Sequence, residues 1–453
     1  MMRISFLAGY YLLNCMFVAE PFSIALTLPL FLLCCLNLYL IEEPHFVAKD
    51  MLWLIVYLFF VIGPCQAIGA GYIGKSTGPV VGIPFSDAEL VETSALVFLF
   101  FSVATVIGQI AKTPAQHSRA ASLTMESQDA ILLLIVNVGA FMGFVLFSGG
   151  IGNVLASRAE KLRDEASAVA AVFLALQIVS TAVIAAIYRS ENKSPLTVFA
   201  IAPAIILLVV SQNPFNTARY FLVAAWLPVF FVFVKGRIGS IKAYAGIFAS
   251  ILVLMPVLSL TSRFGLGRDA LSAIDLQETF FRIPYIDVFD MLAYEIKYLE
   301  HSDYFFGQKT LGMLLFFVPR AIWTSKPTIL AQDMGVELVD AKIAGTSNLS
   351  MFFAGEFYAD FGMLGVVMGA ALVALIILKT GIATKHLING IEVRSFIYMA
   401  AIPILIRGPF GANAPLCCLE LIFLAAISFF LGRRAPMVQK PNSLRGNTRP
   451  SRV

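Results

Sequence analysis

Charged residues are scarce in this chain. Asp, Glu, Lys and Arg make up 13% of its 453 residues, hydrophobic residues make up 59%, and the mean hydropathy is +0.85. Soluble domains carry about 25% charged residues, so the composition excludes an ordinary soluble fold and predicts a polytopic membrane protein. The apolar runs are continuous and about 15–22 residues long, which favours membrane helices over alternating barrel strands. We therefore predict an all-α membrane helix bundle.

Several functional signatures are also missing. There is no Walker loop, so the sequence does not predict direct use of ATP. No internal repeat or inverted pair of broken helices stands out, which disfavours a secondary transporter. The cysteines have neither metal-ligand nor redox spacing and lie in apolar runs, so we interpret them as small hydrophobic residues: Cys15, Cys34, Cys35, Cys65, Cys417 and Cys418.

Twelve apolar segments predict membrane helices. The first lacks a clean signal-peptide cleavage site, and we interpret it as a retained helix. The eleventh is short and contains Pro403, so it is a candidate for a re-entrant or broken helix. The segments are 4–19, 22–41, 51–70, 93–110, 130–149, 167–187, 196–212, 218–234, 243–260, 352–378, 395–407 and 415–432.

Lysine and arginine in the loops indicate the orientation of these helices. With the amino terminus inside, basic residues collect in the inner loops and in a tail that has no acidic residue. We therefore predict that both termini are cytoplasmic and that the tail contacts anionic lipid heads. The chain then divides into about nine helices over 1–260, an outer loop over 261–351, about three helices over 352–432, and a disordered basic tail over 433–453.

Arginines on the predicted outer side are the main candidate binding residues. A guanidinium is always charged and binds phosphate oxygens in a bidentate manner. A charge at this depth is costly unless it lines a wet cavity or has a partner. Any single arginine could instead extend to lipid headgroups, but several together favour a site for a pyrophosphate. The candidates are Arg219, Arg263, Arg268, Arg320 and Arg407.

Two carboxylates open the tenth apolar segment. Glu356 and Asp360 are four residues apart and therefore share one helix face. Each is a candidate general base, and each could equally pair with an arginine and orient it. A GxxxG step at Gly365 and Gly369 follows, which predicts close approach of a neighbouring helix.

The outer loop contains two predicted helices. Residues 286–300 have an apolar stripe and predict an amphipathic helix on the membrane surface or over a cavity. His301 follows it and is a third candidate base, because its ordinary pKa lies near neutrality, although exposed loop histidines are more often bystanders. The short run 311–323 predicts an interfacial helix that brings Arg320 and Trp323 to the cavity mouth. Trp323 could stack on a sugar or anchor the membrane interface.

Two motifs carry a resemblance to a known family. The chain has many apolar segments and a large predicted outer loop before the last few helices. One motif lies within this loop and the other follows it directly. In these features the chain resembles the Wzy-type O-antigen polymerases of lipid-linked oligosaccharide repeat units. The motifs are Pro319-Arg320-x-x-Trp323-x-x-Lys326-Pro327 and Gly355-Glu356-x-Tyr358-x-Asp360-Phe361-Gly362.

The resemblance implies a metal-independent membrane glycosyltransferase, similar to the GT-C group, without a cofactor. Such an enzyme works at the periplasmic face of the bacterial inner membrane on undecaprenyl-pyrophosphate-linked glycans, for O-antigen or exopolysaccharide. The growing chain moves to an incoming repeat unit and undecaprenyl pyrophosphate leaves. A chain-length regulator and a flippase are expected partners, besides membrane lipids, and nucleic acid is not. The matching positions are Arg320, Trp323, Lys326, Glu356, Tyr358 and Asp360.

Two other functions stay open from the sequence. An O-antigen ligase would share the pyrophosphate donor but hand the glycan to a lipid core. A lipid-linked oligosaccharide flippase or other transporter would need charged residues deep inside several helices, and the apolar runs contain few. The polymerase hypothesis makes a geometric prediction, namely that Arg219, Arg320 and Arg407 converge on one pocket.

Overall fold

A computed structural model describes residues 2–69, 85–110, 121–156, 168–190, 194–213, 217, 219–255, 280–281, 283, 286–316, 318, 322–342, 349–375 and 386–434. Of these described residues, 79% are helical. The helices are α1 (Met2–Phe17), α2 (Pro21–Tyr39), α3 (Ala48–Tyr57), α4 (Gly63–Gly69), α5 (Asp87–Ile110), α6 (Ser127–Phe147), α7 (Ile151–Leu155), α8 (Ala168–Tyr188), α9 (Pro195–Ser211), α10 (Arg219–Phe233), α11 (Ser240–Ala249), α12 (Val288–Leu299), α13 (Gln308–Leu314), α14 (Leu330–Asp340), α15 (Phe353–Val373), α16 (Val393–Arg407) and α17 (Phe410–Leu431).

Every one of the twelve predicted membrane segments overlaps a helix, which confirms their helical nature. Seven helical stretches are long and apolar enough to cross a membrane: Pro21–Tyr39, Ala48–Gly69, Asp87–Ile110, Ser127–Phe147, Val169–Tyr188, Phe353–Val373 and Phe410–Leu431. The remaining predicted segments form helices of 10–17 residues. The structure thus agrees with a helical membrane protein, while twelve spans stay a prediction.

Three short strands depart from the all-α prediction. β1 (Ala121–Thr124) lies between β2 (His386–Ile388), which runs parallel to it, and β3 (Arg433–Arg434), which runs antiparallel. The sheet therefore joins the chain before α6, before α16 and after α17 at one end of the bundle, which we call the sheet end. These segments adjoin three of the basic regions that the sequence assigns to a common side.

A buried ion pair fixes the amino-terminal helix at the same end. Arg3 Nε lies 2.7 Å from Asp50 Oδ1, and Asp50 has no exposed side-chain surface. The Tyr244 hydroxyl donates to the same carboxylate at 3.1 Å, and so does the Val47 N–H. Asp50 thereby joins α1, α3 and α11, and its charge is matched inside an apolar bundle where an unpaired carboxylate would be costly.

The centre of the bundle is apolar. A helical stretch from Ala48 to Gly69, with a π-helical segment at Leu58–Ile62 between α3 and α4, is buried almost throughout. Phe100 and Phe101 of α5 pack on Phe352 with ring centroids 5.0 and 5.7 Å apart. This aromatic cluster supports the start of α15, which carries the two predicted carboxylates.

Helix α15 is bent at Gly362. The backbone there has φ +59° and ψ −143°, a conformation that glycine adopts at little cost, so the helix consists of two halves. A Cβ at Gly369 would lie 3.1 Å from the Phe357 ring of the same helix and 3.3 Å from the Phe100 ring of α5, so the neighbouring helix provides part of the close contact there. At Gly365 the close neighbour is instead the carbonyl of Phe357 in the first half of the same helix.

The two loop helices differ from their predictions in position. Helix α12 matches the predicted amphipathic helix in length, but it packs against α4, α5 and α15 and buries residues on several sides instead of lying on a surface. Lys297 of α12 pairs with Glu89 of α5 at 3.3 Å. Helix α13 begins at Gln308 and ends at Leu314, short of the predicted run to residue 323.

Candidate functional site

Arg407 lies at the end of α16, at the end of the bundle away from the sheet, which we call the site end. Its Nη2 is 3.2 Å from Asp287 Oδ1, at the start of α12. The arginine side chain is 28% exposed and the aspartate 15%, so the pair is reachable from outside. The Arg407 carbonyl also accepts a hydrogen bond of 2.9 Å from the Met351 N–H, just before α15.

The backbone of Arg219 lies at the same end. Helices α10 and α16 pack antiparallel, with the Phe231 and Phe396 rings stacked at a 5.6 Å centroid distance towards the sheet end. Arg219 begins α10 and Arg407 ends α16, so both helix termini belong to the site end. The other three predicted arginines, Arg263, Arg268 and Arg320, lie outside the described residues.

Residues 280 and 283 are held against the bundle by a polar anchor at α1 and α4. The Tyr10 hydroxyl donates to the Phe280 carbonyl at 2.7 Å. Gln66 accepts from the Ile283 N–H at 2.9 Å and donates to Asn14 at 2.7 Å. These buried bonds fix the chain just before Asp287 and thereby help to hold the partner of Arg407 in place.

Glu356 is buried beside the first turn of α17. The backbone N–H groups of Phe410 and Gly411 donate to its carboxylate, and Lys309 lies close enough to act on its charge. A helix amino terminus stabilises an anion, whereas burial, which is the strongest influence here, and the nearby Asp360 carboxylate oppose ionisation. Its Oε2 atom has no hydrogen-bond partner among the described residues and is therefore available to accept a proton.

Asp360 has a different surrounding. Its two carboxylate oxygens accept from the backbone N–H groups of Lys309, at 3.1 Å, and Thr310. Asp360 thus caps the amino terminus of α13 from a neighbouring helix. The Lys309 side chain pairs with Asp333, donates to the Thr328 carbonyl at 3.1 Å and lies over the Phe305 ring. This geometry favours a structural use of Asp360 over proton transfer.

The sequence analysis missed Glu295 on α12. Its side chain has no exposed surface, and both carboxyl oxygens lack a hydrogen-bond partner among the described residues. It packs on the backbone of α15, where a Cβ at Gly355 would lie 2.6 Å from its Cδ atom. Burial, and secondarily the charge of Glu356, raise the pKa of Glu295 well above its usual value.

A sequence signal for Glu295 did exist. It lies three residues after Leu292 and four before Leu299, so it borders the apolar stripe of α12. A carboxylate on the apolar side of an amphipathic helix is either paired or functional, since burial of an unpaired charge is costly. Glycine at position 355, immediately before Glu356, is the matching signal on α15.

Two further motif residues are engaged within the protein. The Lys326 ammonium donates hydrogen bonds of 3.0–3.1 Å to the carbonyls of Leu315, Phe316 and Val318. It thereby fixes the turn after α13 that leads towards position 320. The Tyr358 hydroxyl donates to Glu92 Oε1 at 3.1 Å, which joins α15 to α5.

The remaining two candidates are accessible. Trp323 is half-buried and its Nε1 donates to Ser325 at 3.2 Å. His301 is exposed just after α12, with Nδ1 3.4 Å from the Lys297 carbonyl. Both residues therefore remain candidates by sequence alone.

Within the described residues, no group of three or more His, Cys, Asp and Glu side chains is arranged to hold a metal ion. Comparisons with protein-family models, curated proteins and solved structures find no significant match to the chain. The functional interpretation therefore depends on the site geometry and on the motif resemblance.

Proposed function

We propose that the chain polymerises oligosaccharide repeat units carried on a polyprenyl pyrophosphate, as the resemblance to Wzy-type polymerases suggests. One observation supports this most directly. A partly exposed arginine, Arg407, lies at a junction of α12, α15 and α16, and its carbonyl is bound to the segment that leads into Glu356. A partly exposed guanidinium on α16 and a carboxylate with an available oxygen on α15, joined through the Met351–Arg407 backbone hydrogen bond, suit transfer from a diphosphate donor.

The proposed chemistry needs two kinds of group. As the sugar C1–oxygen bond to pyrophosphate breaks, the leaving group takes the electron pair, and Arg407 with Arg320 stabilises its negative charge. The acceptor hydroxyl oxygen forms the new bond to C1, and its proton moves to a base. Among the carboxylates of the motif, Glu356 fits this role better than Asp360, because Asp360 already caps α13 with both oxygens.

A flippase or other transporter is the second candidate, and one observation favours it. Glu420 lies in the middle of α17, is 1% exposed, and its Oε1 has no hydrogen-bond partner among the described residues. Ionisable residues at such depth in membrane helices often belong to a transport path. The same depth also suits a neutral, purely structural carboxyl, so polymerisation stays the main proposal.

Elongation in reconstituted liposomes tests the proposal. The purified protein is supplied with an undecaprenyl-pyrophosphate-linked repeat unit, and the glycans are separated on a gel. We expect a ladder of chain lengths from the wild type. Arg407→Ala and Arg320→Ala should each reduce elongation by roughly tenfold or more, the effect of losing one charge-assisted contact of about 1.5–3 kcal/mol.

Arg237→Ala is the matched control, since Arg237 is exposed near the sheet end and should leave the ladder unchanged. A normal ladder from both site variants would overturn the assignment of the arginines. Transfer of a single repeat only to a lipid-core acceptor would indicate a ligase. Movement of the lipid-linked unit across the bilayer without any ladder would indicate a flippase.

A further inference from the structure

Helix α15 folds back on itself at its bend. In an unbroken helix, positions 357 and 365 would lie about 12 Å apart along the axis. Here a Cβ at Gly365 would overlap with the Phe357 carbonyl, and a Cβ at Gly369 would lie 3.1 Å from the Phe357 ring. The halves before and after Gly362 therefore lie side by side and run in opposite directions, as a helical hairpin with Gly362 at its tip.

Contacts along the first half of α15 show which way it runs. Just before this half begins, the Phe352 ring packs on Phe60 and Phe100, with ring centroids 4.7 and 5.0 Å apart. Both partners lie near the middle of helical stretches that are long and apolar enough to cross a membrane. Further along, Tyr358 donates to Glu92 in the second turn of α5. The first half thus begins in the middle of the bundle and rises towards the site end.

Helix α12 rises in the same direction. A Cβ at Gly63, three residues after Phe60, would lie 2.8 Å from the carbonyl oxygen of Ile286, just before α12. Near the other end of α12, Lys297 pairs with Glu89 in the first turn of α5. Both α12 and the first half of α15 therefore start deep between the helices of the bundle and climb back towards the end at which α5 begins.

The pair of Arg407 and Asp287 lies at the depth where these two helices start. Asp287 directly follows Ile286, and the Arg407 carbonyl accepts from Met351, the residue before Phe352. The two charged side chains are nevertheless 28% and 15% exposed. Exposed charges at this depth face either lipid or water, and contact with lipid is costly. Non-helical backbone at membrane depth is likewise tolerated only inside protein or beside a water-filled cavity.

We propose that α12 and the first half of α15 are re-entrant and line a water-filled vestibule, which opens at the site end and has Arg407 and Asp287 at its floor. Hydropathy predicts one membrane helix over 352–378, but in a hairpin only the second half and the residues after it lead on towards the sheet end. Such a vestibule suits the polar, anionic head of a lipid-linked substrate. This use rests on the proposed polymerase and would place the diphosphate well below the outer headgroups.

A disulfide across the hairpin tests the fold of α15 in the full-length protein. In a variant whose six native cysteines are replaced by alanine, we introduce Phe357→Cys with Gly369→Cys. A Cβ at Gly369 lies 3.3 Å from Cγ of Phe357, so the two Cβ atoms are within reach of a disulfide, and we expect it to form on mild oxidation. Leu132→Cys with Phe144→Cys in α6 is the control, because the same spacing in an unbroken helix separates the thiols by about 18 Å.

Folded protein that forms no disulfide between positions 357 and 369 would overturn the hairpin. If the double variant does not fold, Gly362→Ala decides. The φ of +59° and ψ of −143° at Gly362 are costly for alanine, so we expect the Tm to fall by about 2 °C or more. In a continuous helix alanine would be favoured over glycine, and a raised Tm would contradict the fold-back.

Thiol labelling tests the vestibule itself. Asp287→Cys in the cysteine-free protein should react with small, membrane-impermeant methanethiosulfonates added outside right-side-out vesicles. The Arg407 charge stays beside this thiol, so a sulfonate reagent should react at least about threefold faster than an ammonium reagent. A second substitution, Arg407→Gln, should remove the preference. Phe98→Cys is the control at similar depth, since Phe98 is 40% exposed on an apolar helix and should face lipid.

Arg407→Cys provides the complementary measurement if Asp287→Cys does not fold. Asp287 then stays beside the new thiol, so the ammonium reagent should react faster than the sulfonate. Folded variants that label no faster than Phe98→Cys, or that label only after the vesicles are opened, would overturn the vestibule.

The vestibule and the polymerase fail in distinguishable ways. Labelling of position 287 from outside in a protein that never extends a glycan contradicts the polymerase and leaves the vestibule intact. A protein that extends glycans while positions 287 and 407 stay unlabelled contradicts the vestibule alone.

Discussion

At the scale of single residues, the structure separates charged side chains that support the fold from those that remain accessible. Lys326 and Asp360 both belong to the motifs that suggested a polymerase, yet each binds backbone groups at an end of α13. Arg407 differs from them because it pairs with a partly exposed aspartate, Asp287, and its own side chain reaches the surface. Motif membership alone therefore does not distinguish substrate contact from support of the loop that carries it.

Asp360→Ala tests this distinction. The substitution removes two charge-assisted bonds to the amino terminus of α13, so we expect the free energy of unfolding to fall by about 2–3 kcal/mol. Thermal or denaturant unfolding in detergent micelles measures the change. Asp340→Ala, at the exposed end of α14, is the control and should have little effect. Unchanged stability of Asp360→Ala together with lost elongation would restore Asp360 as a direct participant in the reaction.

At the scale of elements, the contact between α12 and α15 depends on a missing side chain. Gly355 leaves room for the Glu295 carboxyl, and Gly362 lets α15 bend so that its two halves face different neighbours. Both glycines lie in the segment 352–378, whose hydropathy predicts one continuous membrane helix. A hydropathy pattern reports how apolar a segment is and contains no information on the backbone angles at one residue.

Gly355→Ala should destabilise the protein for this reason. A Cβ there would clash with the Glu295 carboxyl, and overpacking of a filled site typically costs about 1–3 kcal/mol. Gly139→Ala is the matched control, because a Cβ at that helical position meets nothing within 4 Å and should be neutral or stabilising by about 0.5–1 kcal/mol.

The double variant Gly355→Ala with Glu295→Ala completes this test. Removing the carboxyl relieves the clash, so its loss of stability should be smaller than the sum of the two single losses. Strictly additive losses, measured by thermal unfolding, would show that Glu295 does not occupy the space above Gly355.

The sequence predicted the twelve apolar segments as helices because each is a continuous apolar run, and it made no prediction for α14. It placed α12 within two residues, from the spacing of Phe289 and Leu292. It missed the pairing of β1 with β2, which joins residues about 265 positions apart. It also missed Glu295, whose importance appears only when α12 is known to pack inside the bundle and against Gly355.

At the scale of the whole molecule, the bundle has two different ends. The sheet end joins β1, β2, β3 and the ion pair of Arg3, and near it lies the bridge between His45 and Gly239. The site end joins Arg407, Asp287 and the backbone of residues 280 and 283. This polarity agrees with the distribution of lysine and arginine in the loops, which predicts the sheet end to be cytoplasmic.

Cysteine labelling from one side of the membrane tests that orientation. In a variant whose six native cysteines are replaced by alanine, we introduce Arg237→Cys near the sheet end and Ser302→Cys just after α12. A membrane-impermeant maleimide added outside sealed, right-side-out vesicles should label position 302 and leave position 237 unlabelled until the vesicles are opened. The reverse pattern would place the Arg407 site on the cytoplasmic side. Lipid-linked glycans that have already moved to the outer leaflet could not react there, so this result would contradict both the orientation and the polymerase proposal.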